Sequence, residues 1–575
     1  MKNTLIISLL FFPFLSCFSA SNSTIGSIGL GDPIFPLEGN GGIDVQHYDL
    51  SIDWNESSGS ITAIAIIDII ATQDLTAFNL DFHQLNIDAI KINDKKVTFK
   101  RTDDELTISL PQLIKNTGSF KAEIHYHGIP QAVPDNILPG WQRTKSGVKV
   151  VSEPISAKNW FPNNNHPSDK ATYSFHISVA EHYQVAANGL PVSIVDHGSK
   201  KTHTFIARDP MASYLATIAI GHYDIEHYTT KEDIPVYNYF FKGASEEDKK
   251  SLQDYPQMLT FFSDKFGPYP FESAGNIVNS EKSILALETQ TRPVLGKGSS
   301  HSVIVHELAH QWFGDYVSLK HWNELWLKES FSRYSEALWQ EHLKGKETMA
   351  QWIKLQFESL MGIQLLPKTG YAELLDFLQI KEVFLSKQQA TQIIHTATHN
   401  KTNPDELKAA LKLVPEQGLS NRNLGTILAP VSIEYIRLTF SEYNRFMSLV
   451  EGKSDKEITE SLKEKPLIDF DSLINAMAEA PNEVKNKDQM YSPGVYTRGA
   501  LALHSLRLKV GDETFFNILK DWFIHYGNQS ASSENFINTA EKISGQDLHQ
   551  FFDHWLDKPI IPDMPEYGLF KENYR

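Results

Sequence analysis

Residues 303–313 read VIVHELAHQWF, in which His306 and His310 stand four apart with Glu307 directly after the first. On a helix, residues four apart lie on one face, one turn above the other, so both imidazoles can point at a single ion. Glu307 is placed to reach a water held by that ion. This donor set suits zinc, whose catalytic sites use three protein ligands and leave one position to water. The third ligand is sought in a second helical pattern, NELWLKESFSRYSEALW at 323–339. There Glu329 falls 19 residues after His310, among the apolar Trp326, Leu327 and Phe331. A carboxylate on such a face is costly unless it is paired or bound to a metal. His306, His310 and Glu329 are therefore the expected ligands of one Zn2+ per chain, with Glu307 as the general base.

On either side of this stretch the periodicity differs. From about 46 to 225 the chain alternates apolar and polar residues in short β-branched runs such as TAIAIIDIIAT (62–72) and YSFHISV (173–179). Turn signals such as Asn188-Gly189 separate them, which predicts a mostly antiparallel β domain. After about 250 the spacing becomes helical, at 300–315, 324–343, 496–509, 511–525 and 533–557. The expected fold is α+β and multidomain, with an N-terminal antiparallel β domain at 46–225. A mostly helical catalytic domain follows at 226–345 and is completed by helices at 486–575. A stretch as long as 346–485 without structure is improbable in a compact chain, so a helical insertion is expected there.

Composition narrows the functions. Of 575 residues, 41% are hydrophobic and 21% charged, which excludes disorder and fibrous repeats. Asp and Glu number 70 against 53 Lys and Arg, a formal charge of -17, so a nucleic-acid partner is not expected. Cys17 is the sole cysteine, so no disulfide can form within the chain. It lies in MKNTLIISLLFFPFLSCFSA, where Lys2 precedes a short apolar run; residues 1–20 read as a signal peptide. Two outcomes are open: cleavage near Ala20, or lipid anchoring at Cys17 through Phe14-Leu15-Ser16-Cys17, which resembles a lipobox. The expected location is periplasmic or secreted, with a lipoprotein as the variant. No later apolar run is long enough for a transmembrane segment.

HELAHQWFGD followed by WLKES resembles the M1 family of zinc aminopeptidases, gluzincins in which HExxH is followed by eighteen residues and a Glu. That resemblance implies a thermolysin-like catalytic domain and peptide substrates with a free N-terminus. Two further stretches extend it. Val150-Val151-Ser152-Glu153-Pro154 leads into AKNWFPNNNHPSDKATYSF, similar to the family's W-F-P motif, and implies that Glu153 binds the substrate ammonium. SILALETQTRPV at 283–294 stands where the family has G-x-M-E-N, implying a second ammonium anchor at Glu288 and substrate contacts at Ala286 and Leu287. Strand 284–290 is expected to pair with the substrate backbone. VYTRGALA at 495–502 is close to V-Y-x-K-G-A and implies that Tyr496 stabilises the oxyanion. Where the family has W-L-N-E-G, this chain carries Lys328 and Ser330 around Glu329, so contacts about that ligand are expected to differ. The chain ends soon after WLDKPIIPDM (555–564), as in short bacterial members. The rival functions are a thermolysin-like zinc endopeptidase, which shares the metal ligands, and a secreted binding protein with a peptidase-like fold.

Overall fold

The computed structural model describes residues 24–361 apart from 135, 137 and 282–285, short pieces between 363 and 439, and 480–571 apart from 483 and 559–560. Cys17 and the proposed signal peptide lie outside the described residues.

Ile61–Ala71 shows why the first half is sheet: Ile61, Ala63, Ala65, Ile67, Ile69 and Ala71 are buried while the intervening residues are partly exposed. Period-2 burial of β-branched side chains is what a pleated strand with one face on the core requires. This strand pairs antiparallel with Ile43–Trp54 and with Ser119–Gly128 inside an eight-stranded sheet. The exception to the antiparallel expectation is Ile43–Trp54 against Lys170–Ala180, which run parallel. A four-stranded sheet of Gln184–Ala187, Ile218–Gly221, Gly147–Val151 and Gly140–Thr144 comes next. Its strand Gly147–Val151 carries the chain directly toward Glu153. A further sheet joins Tyr223–Thr229, Pro235–Phe241, Ala274–Val278 and Val294–Leu295.

Helices dominate from 246 onward. The helix His301–Ala309 begins at Ser300, whose side chain accepts a hydrogen bond from the Val303 N–H, and buries Ile304, Val305 and Leu308. It stops earlier than the expected 315. Beyond it the chain turns through Gly314, whose φ of +120° no helix residue adopts. Trp326–Lys344 packs against it and ends at Gly345. Toward the C-terminus, Gly499–Val510, Asp512–Tyr526 and Ser533–Ser544 follow one another. The pattern expected as one helix at 533–557 is broken at Gly545, which caps Ser533–Ser544 in the left-handed conformation (φ +67°). Within 346–485 the described pieces are not all helical. Beside the helix Lys346–Leu360 stand two antiparallel pairs, Ile363–Pro367 with Tyr435–Thr439 and Phe384–Leu385 with Leu419–Ser420. Among the described residues no helix is long and apolar enough to cross a membrane.

Candidate active site

Helix His301–Ala309 and helix Trp326–Lys344 cross so that three donors converge. Glu329 Oε2 lies 3.2 Å from His306 Nε2 and 3.5 Å from His310 Nε2. The other ring nitrogens are already committed. His310 Nδ1 is 3.0 Å from the Phe313 carbonyl, and His306 Nδ1 is 2.9 Å from Glu336 Oε1. Both partners accept, so each Nδ1 is the nitrogen that donates, which leaves each Nε2 as the atom turned toward a cation. In a tetrahedral zinc site with bonds of ~2.0–2.1 Å the ligand atoms stand ~3.3–3.4 Å apart, which the two distances to Glu329 match. The donor set and its spacing fit zinc.

Electrostatics agree with a cation-binding role. Burial draws the His306 pKa down, yet the hydrogen bonds to Glu329 and Glu336 carry it up to about 10. Burial raises the Glu329 pKa, but the Lys328 ammonium and His310 overcome it and hold the carboxyl well below its ordinary range. Glu307 is buried one residue along the helix, its carboxylate within 4.8 Å of donor atoms on His310 and Glu288. Burial, reinforced by Glu288 and Glu329, pushes its pKa well up, although His306 opposes the shift.

Tyr496 reaches this site from the far side. Its ring stacks on His306 with centroids 6.1 Å apart at 13°. It sits in a wide turn, Gly494–Arg498, that leads into Gly499–Val510. The turn is held by Ser330, whose hydroxyl donates to the Val495 carbonyl. Gly499 allows that approach, since a Cβ there would meet Ser330 Oγ at 1.9 Å. Burial, then Glu329, raise the Tyr496 pKa well above its ordinary value, so the phenol is a hydrogen-bond donor at neutral pH.

Glu153 and Glu288 come together at the other end of the site, but with a third group between them. Lys328 Nζ lies 2.6 Å from Glu153 Oε1, 2.6 Å from Glu288 Oε1 and 2.8 Å from Glu329 Oε1. Burial pulls the Lys328 pKa down, and the three carboxylates more than reverse this, so it is an ammonium. Burial and then the Glu288 charge push Glu153 up to about 8, against the pull of Lys328. The segment after 285 is fixed by Gln311, which donates to the Glu288 carbonyl at 3.0 Å and accepts from the Thr291 N–H at 2.8 Å.

One expected substrate contact is corrected. Leu287 is not available to a substrate strand, because its N–H and carbonyl are both bonded to Val294, at 3.0 and 2.8 Å. Its side chain is buried with Val151, Ile277 and Val294. Ala286 is partly buried beside it, outside any strand, and 284–285 lie outside the described residues. Two residues with roles were missed. Lys328 stands in the sequence only as a departure from the family motif, and its partners Glu153 and Glu288 lie too far away along the chain to be signalled there. Glu336 lies seven residues after Glu329, two helical turns along the same face, and that spacing was the available signal.

A β domain followed by a helical domain in which HExxH meets a later glutamate is the arrangement the sequence resemblance implied. The chain belongs to peptidase family M1: the model of the Peptidase M1 N-terminal domain matches residues 44–215, and that of the Peptidase family M1 domain matches 246–407 and 439–555. Among curated proteins it is similar to "Probable aminopeptidase 1" of Sulfurisphaera tokodaii, 28% identical over 329 residues that cover 54% of this chain and 39% of that protein. It is also 28% identical to "Aminopeptidase N" of Lactobacillus helveticus, over 51% of this chain and 37% of the relative. The match thus spans well under half the length of these relatives. Among solved structures, the M1 zinc metallopeptidase from Deinococcus radiodurans superposes with a TM-score of 0.67 at 23% identity, over 93% of this chain and 99% of the other. At that identity the likeness establishes the fold.

Proposed function

We propose that this chain is a zinc-dependent aminopeptidase, which hydrolyses the first peptide bond of its substrate and releases the N-terminal residue. The observation that carries this reading is the position of the carboxylate pair. Glu153 and Glu288 are buried beside Glu329, all three reached by the one Lys328 side chain, so carboxyl groups stand next to the metal ligands where a substrate's N-terminal end would lie. An endopeptidase needs chain to continue past that point. The names of the curated relatives support the same activity, and the family supports zinc.

His306, His310 and Glu329 would hold the zinc, which when bound supplies Lewis acidity toward the water and the scissile carbonyl. Glu307 accepts the proton of the attacking water and delivers it to the leaving nitrogen, so the water's oxygen ends on the carbonyl carbon and its protons on the products. The raised pKa of Glu307 suits it to carry that proton between the two steps. Tyr496 donates a hydrogen bond to the oxygen that gains charge as the carbonyl becomes tetrahedral. Glu336 and the Phe313 carbonyl keep both imidazoles turned toward the ion.

The test is Glu307→Gln in zinc-loaded protein. Peptide hydrolysis should fall by about 10²–10⁴-fold, the usual worth of a general base, while zinc content stays at one per chain. Activity near the unsubstituted level would sink the assignment. We further infer export, from residues 1–20. Mass spectrometry of the mature N-terminus distinguishes cleavage near Ala20 from lipid on Cys17, and an intact Met1 would end that reading.

A further inference from the structure

The end of the cleft that resemblance reserves for the substrate's ammonium already holds one. Lys328 Nζ is surrounded by one oxygen each of Glu153, Glu288 and Glu329, at 2.6, 2.6 and 2.8 Å. Glu288 accepts a hydrogen bond from this ammonium, and the carboxyl groups of Glu153 and Glu329 face it within ion-pair distance. The side chain is wholly buried, with Nζ 5.8 Å from the Tyr214 ring. Its stem lies over Gly314, where an added Cβ would meet Lys328 Cβ at 3.1 Å and Cδ at 3.2 Å. Lys328 also immediately precedes Glu329 on the same helix, so the backbone that fixes the metal ligand fixes the lysine. A second ammonium seated against Glu153 and Glu288 would stand in contact with the first, in a place from which water is excluded. Like charges so placed repel strongly.

We propose that Lys328 is a specificity-determining residue that replaces the substrate's α-ammonium, so that the cleft takes peptides whose N-terminal nitrogen carries no charge, acylated or closed into a lactam. This rests on the peptidase reading above and specifies its substrate. The two anchor carboxylates then serve to hold Lys328. A neutral first residue enters beside carboxyl groups that already hold a cation of the chain's own, and neither loses an ammonium's hydration nor meets a like charge.

The experiment uses tripeptides beginning with glutamine in three states: free, N-acetylated, and cyclised to the lactam. Leucine tripeptides, free and acetylated, control for side-chain preference. With zinc-loaded protein, kcat/KM for a blocked peptide should exceed that for its free counterpart by about a hundredfold or more. Lys328→Asn, which restores the residue of the family motif, should reverse the order, with zinc content reporting that the variant is folded. Calorimetry with Glu307→Gln should rank the same peptides in the same order by Kd, without turnover. Faster cleavage or tighter binding of the free peptides by the Lys328 protein overturns the proposal and leaves the peptidase reading intact. Selective binding of blocked peptides without cleavage of any peptide sinks the peptidase reading and supports this one. Absence of both binding and cleavage overturns both, and the wild-type measurements decide even where Lys328→Asn does not fold.

Discussion

The two ends of the cleft balance their charges by different means. At the metal end, two Nε2 atoms and Glu329 Oε2 face one another across 3.2 and 3.5 Å and need a cation from outside. At the anchor end, Glu153 and Glu288 face a cation that the chain itself supplies on Lys328. Both sites hang on adjacent residues of one helix, 328 and 329. An ion drawn from solution is exchangeable and sets a chemistry; a lysine is permanent and sets a selectivity. One substituted position on a preserved frame can thus alter what enters while leaving what happens untouched.

That contrast can be broken first at Tyr496. If the metal end works as derived, Tyr496→Phe removes one donor to the oxyanion and lowers kcat by about 10²–10³-fold. Zinc content and the preference among blocked and free peptides should not move, because the anchor end is unchanged. Steady-state kinetics on the same peptides check this; a shift in N-terminal preference would mean that the two ends are not separable. A smaller effect is expected at Glu336. Glu336→Gln weakens the acceptor on His306 Nδ1, as loss of such an outer partner typically does, and should lower zinc affinity by about 10–100-fold. Competition with a chelator measures it. At saturating zinc, activity should return.

The parts of this molecule differ in how readily they could be read. Spacing alone placed His306, Glu307 and His310, because four residues on a helix is a fixed geometry. The β domain was equally plain from the alternation in Ile61–Ala71. Glu329 was legible through the cost of a carboxylate among Trp326, Leu327 and Phe331. The helix ends were not, since they depend on single glycines: Gly314 stops one pattern and Gly545 divides another. Leu287 was misread for a related reason. A run of strand-forming residues says nothing of whether its hydrogen bonds are already taken by Val294. The contact of Lys328 with Glu153 and Glu288 joins segments separated by 175 and 40 positions, and only the folded chain brings them to one point.

The finest test sets the pH responses of the two ends against each other. Glu153 is raised from an ordinary 4.5 to about 8 by burial and by Glu288, against Lys328. Between those values the unfolded chain has released a proton that the folded chain keeps, so this group makes stability fall as pH rises, by at most about 1.4 kcal/mol per pH unit. Below about 4.5 both states are protonated, and above about 8 both are ionised, so the slope is confined to the interval between. Glu153→Gln cannot ionise and should flatten the fall in Tm over that range, with its largest gain over wild type near pH 8. The metal end tilts the other way. Zinc must displace a proton from His306, whose pKa the hydrogen bonds to Glu329 and Glu336 raise to about 10 against burial, so zinc-induced stabilisation grows with pH. Scans of Tm at pH 5–8, with and without zinc, separate the two. Equal slopes for wild type and Glu153→Gln without zinc would mean that Glu153 is ionised throughout and would overturn its raised pKa.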